Sequence, residues 1–416
     1  MFRDTLRVGL LLGWKQIRRA NIWTTSLIVF IMTLTFLNLV VVSGILVGLI
    51  EGSVRAYRNQ YTGDIILSTP TGEEYIEKSS TVISTLQNIP GIRGYSARSV
   101  EGATVEANYR TRRDPQEVRD TVGTRIVGFD PVVEDQITNL SHYVVEGEYL
   151  EPGDEGFVML GSNMLKKYAP DFGDAFSTLD DVEPGTRIRI TVGDRTKEFT
   201  VKGIIKSKVD ETSFRAFMVE SEFNRFVGRT NLNVNEIAVV VDEDVEPIKV
   251  KQAIVDSGLD QFATVKLSRE ALPQALEDIM VTFELLGTAI SSIGLVVSSI
   301  TMFIVIFVNA ITRRKYIGIL KGIGIRAGAI ELSYVIQSLM YAVVGAGIGM
   351  IITYVFLVPL FDAHPIDFPF SDGILVAPLS GTLIRLTILL VSTVIAGYIP
   401  AWMIIKRNTL DSILGR

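Results

Sequence analysis

The 416 residues include no cysteine and two histidines, and they carry a formal net charge of −6. Without cysteine the fold cannot rest on disulfides, and the separated His142 and His364 are too few for an ordinary zinc site. Residues 51–280 hold 26 Lys and Arg against 39 Asp and Glu, a net of −13, and the remainder holds 14 against 7, a net of +7; an acidic middle between basic flanking segments argues against a nucleic-acid partner.

In chain order, residues 1–19 are basic (Arg3, Arg7, Lys15, Arg18, Arg19) and lead into the uncharged run Ala20–Ile50. A hydrocarbon core of about 30 Å takes roughly 20 helical residues, so this run spans a membrane as a helix. It is about twice the length of a signal-peptide core and ends in no small-x-small cleavage site, so a retained helix is expected. As a helix the run reaches about 46 Å. Either it tilts, or the helix continues outward as a stalk through Gly52–Tyr61, matched on the far side by Ala271–Met280 behind the cap-like Ser268 and Glu270.

Residues 62–270 are long enough for an independent core and read as mixed α and β. Asp64–Ser68, a stretch near Gly102–Asn108, Gly123–Phe129, Gly156–Leu160 and Glu236–Val241 have strand character. Arg187–Val192 and Lys197–Ile205 alternate around Gly193-Asp194, a hairpin signal. Ile76–Ile89, ending at Pro90-Gly91, and Ile248–Ser257 have helical patterns. Residues 110–230 could be a subdomain inserted into the first.

Three more uncharged runs follow, Leu285–Thr312, Leu332–Phe361 and Leu386–Ile405. The expected segments are 271–312, stalk and second span; 313–330, a cytoplasmic loop; 331–361, third span; 362–382, an outer loop; and 383–416, fourth span and tail. Lys and Arg crowd the N-terminus, the connection from Arg313 to Arg326 and the tail, whereas the third-to-fourth connection has Asp362, Asp367 and Asp372. By the positive-inside rule both termini are cytoplasmic and residues 62–270 lie outside. The expected fold is an α-helical four-span membrane domain of one-plus-three topology with a large mixed α+β extracytoplasmic domain between spans one and two. Small residues recur along the second span (Gly287, Ser291, Gly294, Ser298) and the third (Gly345, Gly347, Gly349), which suits close helix packing within one chain or against a second copy.

Motifs for catalysis are missing. There is no H-E-x-x-H and no G-x-S-x-G. Asp180-Asp181 and Asp242–Glu246 lack the spacing of a calcium loop. Gly322, Gly324 and Gly328 imitate a dinucleotide loop, but the third glycine falls one residue late and no strand precedes them. No G-x-x-x-x-G-K-[ST] occurs, so a non-catalytic chain without metal or cofactor of its own is expected.

The basic, amphipathic run RRKYIGILKGIGIRAGAI from Arg313 to Ile330 is a topogenic loop or a docking helix for a cytoplasmic partner. It resembles the second-to-third connection of ABC transporter permeases of the FtsX, MacB and lipoprotein-releasing type, R-R-x-E-I-G-I-L-[KR]-A-[LI]-G. Ile317-Gly318-Ile319-Leu320-Lys321 and Gly324 match, while Tyr316 replaces the acidic residue and Gly322 the alanine. Gly397–Ala401, Lys406-Arg407 and Leu410–Leu414 resemble the closing segment of that family, Leu6–Arg19 its membrane-surface helix, and Val127–Pro131, Glu146–Leu150, Val158–Gly161, Pro184–Thr186 and Val201–Ile204 its exterior domain in order.

The resemblance implies a multi-pass permease subunit of the cell (inner, cytoplasmic) membrane. It would pair with a second permease subunit and be driven by a separate cytoplasmic ABC ATPase that holds ATP and Mg. Its exterior domain would move to export or extract a lipoprotein, lipid, peptide or drug. Arg313, Arg314, Tyr316, Ile317, Leu320, Lys321 and Arg326 are then the expected ATPase contacts. Two readings stand beside it: a signalling scaffold that activates an exterior partner such as a cell-wall hydrolase, and a motorless receptor or adhesion module.

Overall fold

The computed structural model describes residues 2–110, 119–168, 177–364, 366–368, 370–373 and 375–406. The expected tail motif beyond Lys406 therefore lies outside the described residues. Helix α1 (Phe2–Arg18) packs on a later helix through two glycines: a Cβ on Gly9 would come within 2.8 Å of Leu332, and one on Gly13 within 3.1 Å of Ile336. Helix α2 (Ile22–Tyr57) starts where the Asn21 side chain accepts the Trp23 amide, and its 36 residues reach about 54 Å. It ends in a π-helical turn, Arg58–Thr62. Gly63 follows at φ +62°, where a Cβ would lie 2.5 Å from the Val239 carbonyl oxygen, so only glycine fits.

The elements that follow are β1 (Ile65–Ser68), α3 (Ser79–Leu86), β2 (Ile92–Glu106), β3 (Thr121–Phe129), α4 (Pro131–Thr138), β4 (Val144–Gly147), β5 (Phe157–Gly161), β6 (Arg187–Val192), β7 (Arg195–Ile205), α5 (Asp210–Ser213), β8 (Arg215–Val219), α6 (Glu220–Val227), β9 (Glu236–Val241), α7 (Pro247–Asp256) and β10 (Thr264–Leu267). The chain closes with α8 (Gln274–Thr312), α9 (Arg314–Gly322), α10 (Ala327–Ile351), a π-helical turn (Ile352–Leu357), α11 (Val358–Ala363), a small pair β11 (Ile366–Phe368) and β12 (Ser371–Gly373), and α12 (Leu379–Ile405). Four helical stretches, Ile22–Thr62, Gln274–Thr312, Ala327–Ala363 and Leu379–Ile405, are long and apolar enough to cross a membrane.

Two compact units result. The helical unit comprises Met1–Ile50, Glu277–Asp367 and Asp372–Arg416; the sheet unit comprises Glu51–Leu276 with Phe368–Ser371. The helical core is built on Met32, Phe36, Tyr334, Ala342 and Leu389, all nearly inaccessible. The sheet unit is one mixed ten-stranded sheet in the order β10-β1-β9-β2-β3-β8-β5-β7-β4, with β6 joining β2 and β7. One core (Ile65, Leu86, Ile237, Ile254) lies beneath β1 and β9. Another (Val105, Ile126, Phe199, Met218, Phe223) lies beneath β3, β7 and β8.

The hairpin around Gly193-Asp194, the strand at 236–241 and the helix near 248–257 stand close to their expected bounds. Helix α3 is shorter than the Ile76–Ile89 pattern. The Ile76 amide is taken by the Val234 carbonyl, and the Ser79 hydroxyl donates to Ile76 O, so Ile76 is held as a turn residue. Strand β2 is far longer than the stretch near Gly102–Asn108. Its first half pairs with β9 and its second with β3, so it carries both parts of the sheet. The segment 313–330, expected as a cytoplasmic loop that is topogenic or holds a docking helix, is mostly helix, because α9 forms and α10 begins at Ala327.

Candidate functional site

Helix α9 has two faces. Ile317 is 3% exposed and belongs to the helical core, and Leu320 packs against that core. On the other side Tyr316 (69% exposed), Ile319 (52%) and Ile323 (70%) face outward. The spacing of three and four residues puts those three on one helical stripe. The Lys321 ammonium donates to the carbonyl oxygen of Ile405 at the end of α12, where a cation also complements the helix dipole. The helix stops in a Schellman turn: Ile325 N donates to Leu320 O, Gly324 N donates to Lys321 O, and Gly324 sits at φ +91°. Gly324 is thus a helix stop, which accounts for a glycine in the pattern that imitates a nucleotide loop.

The expected contact residues therefore divide. Tyr316 and Arg326 are exposed, and Arg313, Arg314, Leu320 and Lys321 are half-buried. Ile317 is buried in the helical core. Ile319 and Ile323, outside the expected set, are exposed apolar residues of this segment. Reading the segment at a period of 3.6 rather than by motif would have separated the two faces.

Gly345 and Gly349 of the third span, and Gly287 and Gly294 of the second, meet α2. A Cβ on Gly345 would lie 2.5 Å from Met32 Cβ, and one on Gly349 2.5 Å from Phe36. The Thr33 hydroxyl donates across this contact to Gly345 O at 3.0 Å. On α8, a Cβ added to Gly287 would overlap Leu46, and one added to Gly294 would lie 2.8 Å from Asn38. The buried Ser298 hydroxyl lies 3.4 Å from Met32 Sδ, and the Ser291 hydroxyl oxygen is buried without a hydrogen-bond partner among the described residues.

Within the sheet unit, the end of α2 and its π turn sit in a polar socket. Arg98 on β2 grips Glu134 on α4 at 2.8 and 2.6 Å, and Glu134 also accepts from Ser96 and Thr138, each at 2.7 Å. Arg215 on β8 holds Glu236 on β9 at 3.0 and 2.8 Å. Tyr61 lies between the two arginines: its ring is 5.3 Å from Arg98 and 5.1 Å from Arg215, its hydroxyl donates to Glu236 at 3.0 Å, and its carbonyl accepts from Arg98 at 2.7 Å. Tyr57 OH donates to Glu211 at 2.7 Å, and Gln60 Oε1 accepts from Ser207 and Lys208. Burial alone would raise both glutamates. For Glu236 the charge of Arg215, its hydrogen bonds and Arg98 outweigh burial and hold the carboxyl at about 2; for Glu134 the charge and hydrogen bonds of Arg98 leave it below its usual value. Sequence reasoning missed this socket, because Arg98 and Arg215 interrupt runs of otherwise small or apolar residues and their partners are far away in the chain.

Residues 288–409 match the family model of the FtsX-like permease C-terminal domain. That stretch is part of α8, all of α9 to α12, and the residues just beyond. Over those residues the chain is similar to FtsX-like permeases. It is similar to an uncharacterized ABC transporter permease of Methanocaldococcus jannaschii, 23% identical over 279 residues, 65% of each chain. It is similar also to the macrolide export ATP-binding/permease protein MacB of Campylobacter jejuni, 25% identical over 231 residues, 52% of this chain and 34% of that one. This chain thus spans less than two thirds of the M. jannaschii relative and about a third of MacB. Among solved structures, the periplasmic region of MacB from Actinobacillus actinomycetemcomitans aligns with TM-score 0.35 and 12% identity, over 55% of this chain and 95% of that one. The extracellular domain of the ABC-type transporter YknZ from Gram-positive bacteria aligns with TM-score 0.31 and 14% identity, over 49% and 97%.

Proposed function

We propose that this chain is the membrane subunit of an ABC transporter in the cell membrane. A separate cytoplasmic ATPase, which holds ATP and Mg, works it as a dimer with a second permease subunit, and the sheet unit moves on the outer side to export or extract a hydrophobic or amphipathic substrate. The observation that carries the reading is the FtsX-like match over residues 288–409, combined with an α9 whose outer stripe of Tyr316, Ile319 and Ile323 is apolar yet exposed. Such a stripe suits a groove on a protein partner. Long helices α2 and α8 are the means by which motion at α9 would reach the sheet unit. ATP can drive this only by its differential affinity for two helix arrangements.

Copurification with a P-loop ATPase, followed by the same with Ile319→Asp and Ile323→Asp, tests the docking. At least tenfold weaker ATPase capture by the variants, with unchanged melting of the permease, is expected; undiminished capture would sink the reading. Orientation is tested separately. Because the chain has no cysteine, Leu232→Cys should label from outside intact cells and Ile323→Cys only after they are opened.

A further inference from the structure

A cleft of about 770 Å³ opens on the sheet unit beside the socket. This is within the usual range of small-molecule sites. Its floor is one face of the sheet: Gly102 pairs with Arg125, Thr104 pairs with Gly123, and Thr104 also pairs with Thr191 on β6. A Cβ built on Gly102 or Gly123 meets nothing within 4 Å, so the hollow exists because side chains are missing from two positions of an otherwise ordinary strand pair. One wall is Phe214, whose carbonyl accepts from the Thr124 hydroxyl.

Three charged groups line the cleft, and two of them are already engaged. Arg215 is spent on Glu236, and Glu211 accepts from Tyr57. Arg125 is exposed and makes no ion pair with any described residue. A neighbouring hollow of about 420 Å³ shares Gly102 and Arg125 but carries Glu73, Glu74 and Glu101, which disfavour an anion there. The unspent guanidinium, the aromatic wall and the glycine floor together suit one chemistry.

We infer that this cleft binds a small amphipathic anion, an aromatic or acyl group on Phe214 and the glycine floor with its carboxylate on Arg125. A guanidinium takes a carboxylate through two parallel hydrogen bonds, and a ring on Phe214 adds an aromatic contact. Glu211 joins the cleft to Tyr57, so an occupant lies one residue from the last turn of α2. As a cargo or effector site it rests on the permease reading. As a binding site it is tested without any ATPase, so the two can fail separately.

The probe is N-acetyl-4-fluorophenylalanine, titrated onto the full chain in lipid nanodiscs and followed by fluorine line broadening, with empty nanodiscs subtracted. The neutral amide of the same compound is the control. Saturable broadening is expected, with affinity falling at least tenfold in Arg125→Gln, in Gly123→Leu and for the amide. Should Gly123→Leu melt early, Gly102→Val fills the same floor from the opposite strand, and Arg125→Gln stands independently. No saturable broadening below about 10 mM, equal binding of acid and amide, or wild-type affinity in Arg125→Gln would each overturn the site.

Discussion

The Arg215 guanidinium and the Glu236 carboxylate meet through two hydrogen bonds of 3.0 and 2.8 Å, both groups buried, and join β8 to β9, strands that do not pair with each other. With Tyr61 hydrogen-bonded to the same carboxylate, the pair fixes the end of the π turn in the sheet unit.

Removing one partner leaves the other buried without its hydrogen-bonded counter-charge, and the cation that remains near Glu236 is Arg98, at 3.6 Å. Arg215→Met or Glu236→Leu should each destabilise the sheet unit by about 3–5 kcal/mol, whereas the double substitution should recover part of the loss. Denaturant melts of the four proteins measure this. Additive losses would mean that the two residues do not act as a pair.

Acid should act on the same residues. The Glu236 carboxyl is held at about 2 against an ordinary 4.5, so the stabilisation is complete above about pH 4.5 and is lost as the pH falls toward 2. Glu134 acts in the same direction. The melting temperature should be flat from pH 7 to 5 and fall steeply below. If Glu236→Gln, weaker at neutral pH, showed an equally steep fall between pH 4.5 and 2.5, this carboxylate would not be its source.

The helical unit offers a contrast between glycines two residues apart. Gly345→Val and Gly349→Val would push a Cβ to 2.5 Å from Met32 and Phe36, a cost of about 1–3 kcal/mol each. Gly347 faces open space, so Gly347→Ala should be neutral or gain up to about 1 kcal/mol. Thermal melts in detergent rank the three, and equal effects would contradict the α2–α10 contact.

Helix α9 should separate fold from function. Ile317→Asp puts a charge into the helical core and should cost several kcal/mol, about 3 or more, with loss of folded yield. Ile323→Asp, on the exposed stripe, should leave yield and melting within about 0.5 kcal/mol of the parent. Size-exclusion recovery and melting temperature distinguish them.

Sequence alone determined the four long apolar helices, the acidic insert between the first two and the glycine-rich faces. Each depends on local composition or on a period within one element, and lipid or a helix partner rewards such patterns wherever they occur. It also brought out the basic segment after span two, through the order of its residues. Only the tertiary structure decided which side of that segment is open, moving Ile317 inside and Ile319 and Ile323 outside, because burial depends on which neighbour a helix meets. The socket around Tyr61 was likewise hidden. Arg98 and Glu236, 138 positions apart in the chain, become neighbours only when β2 pairs with β9, and a buried charge is tolerable only once folding has brought its counter-charge within hydrogen-bonding reach.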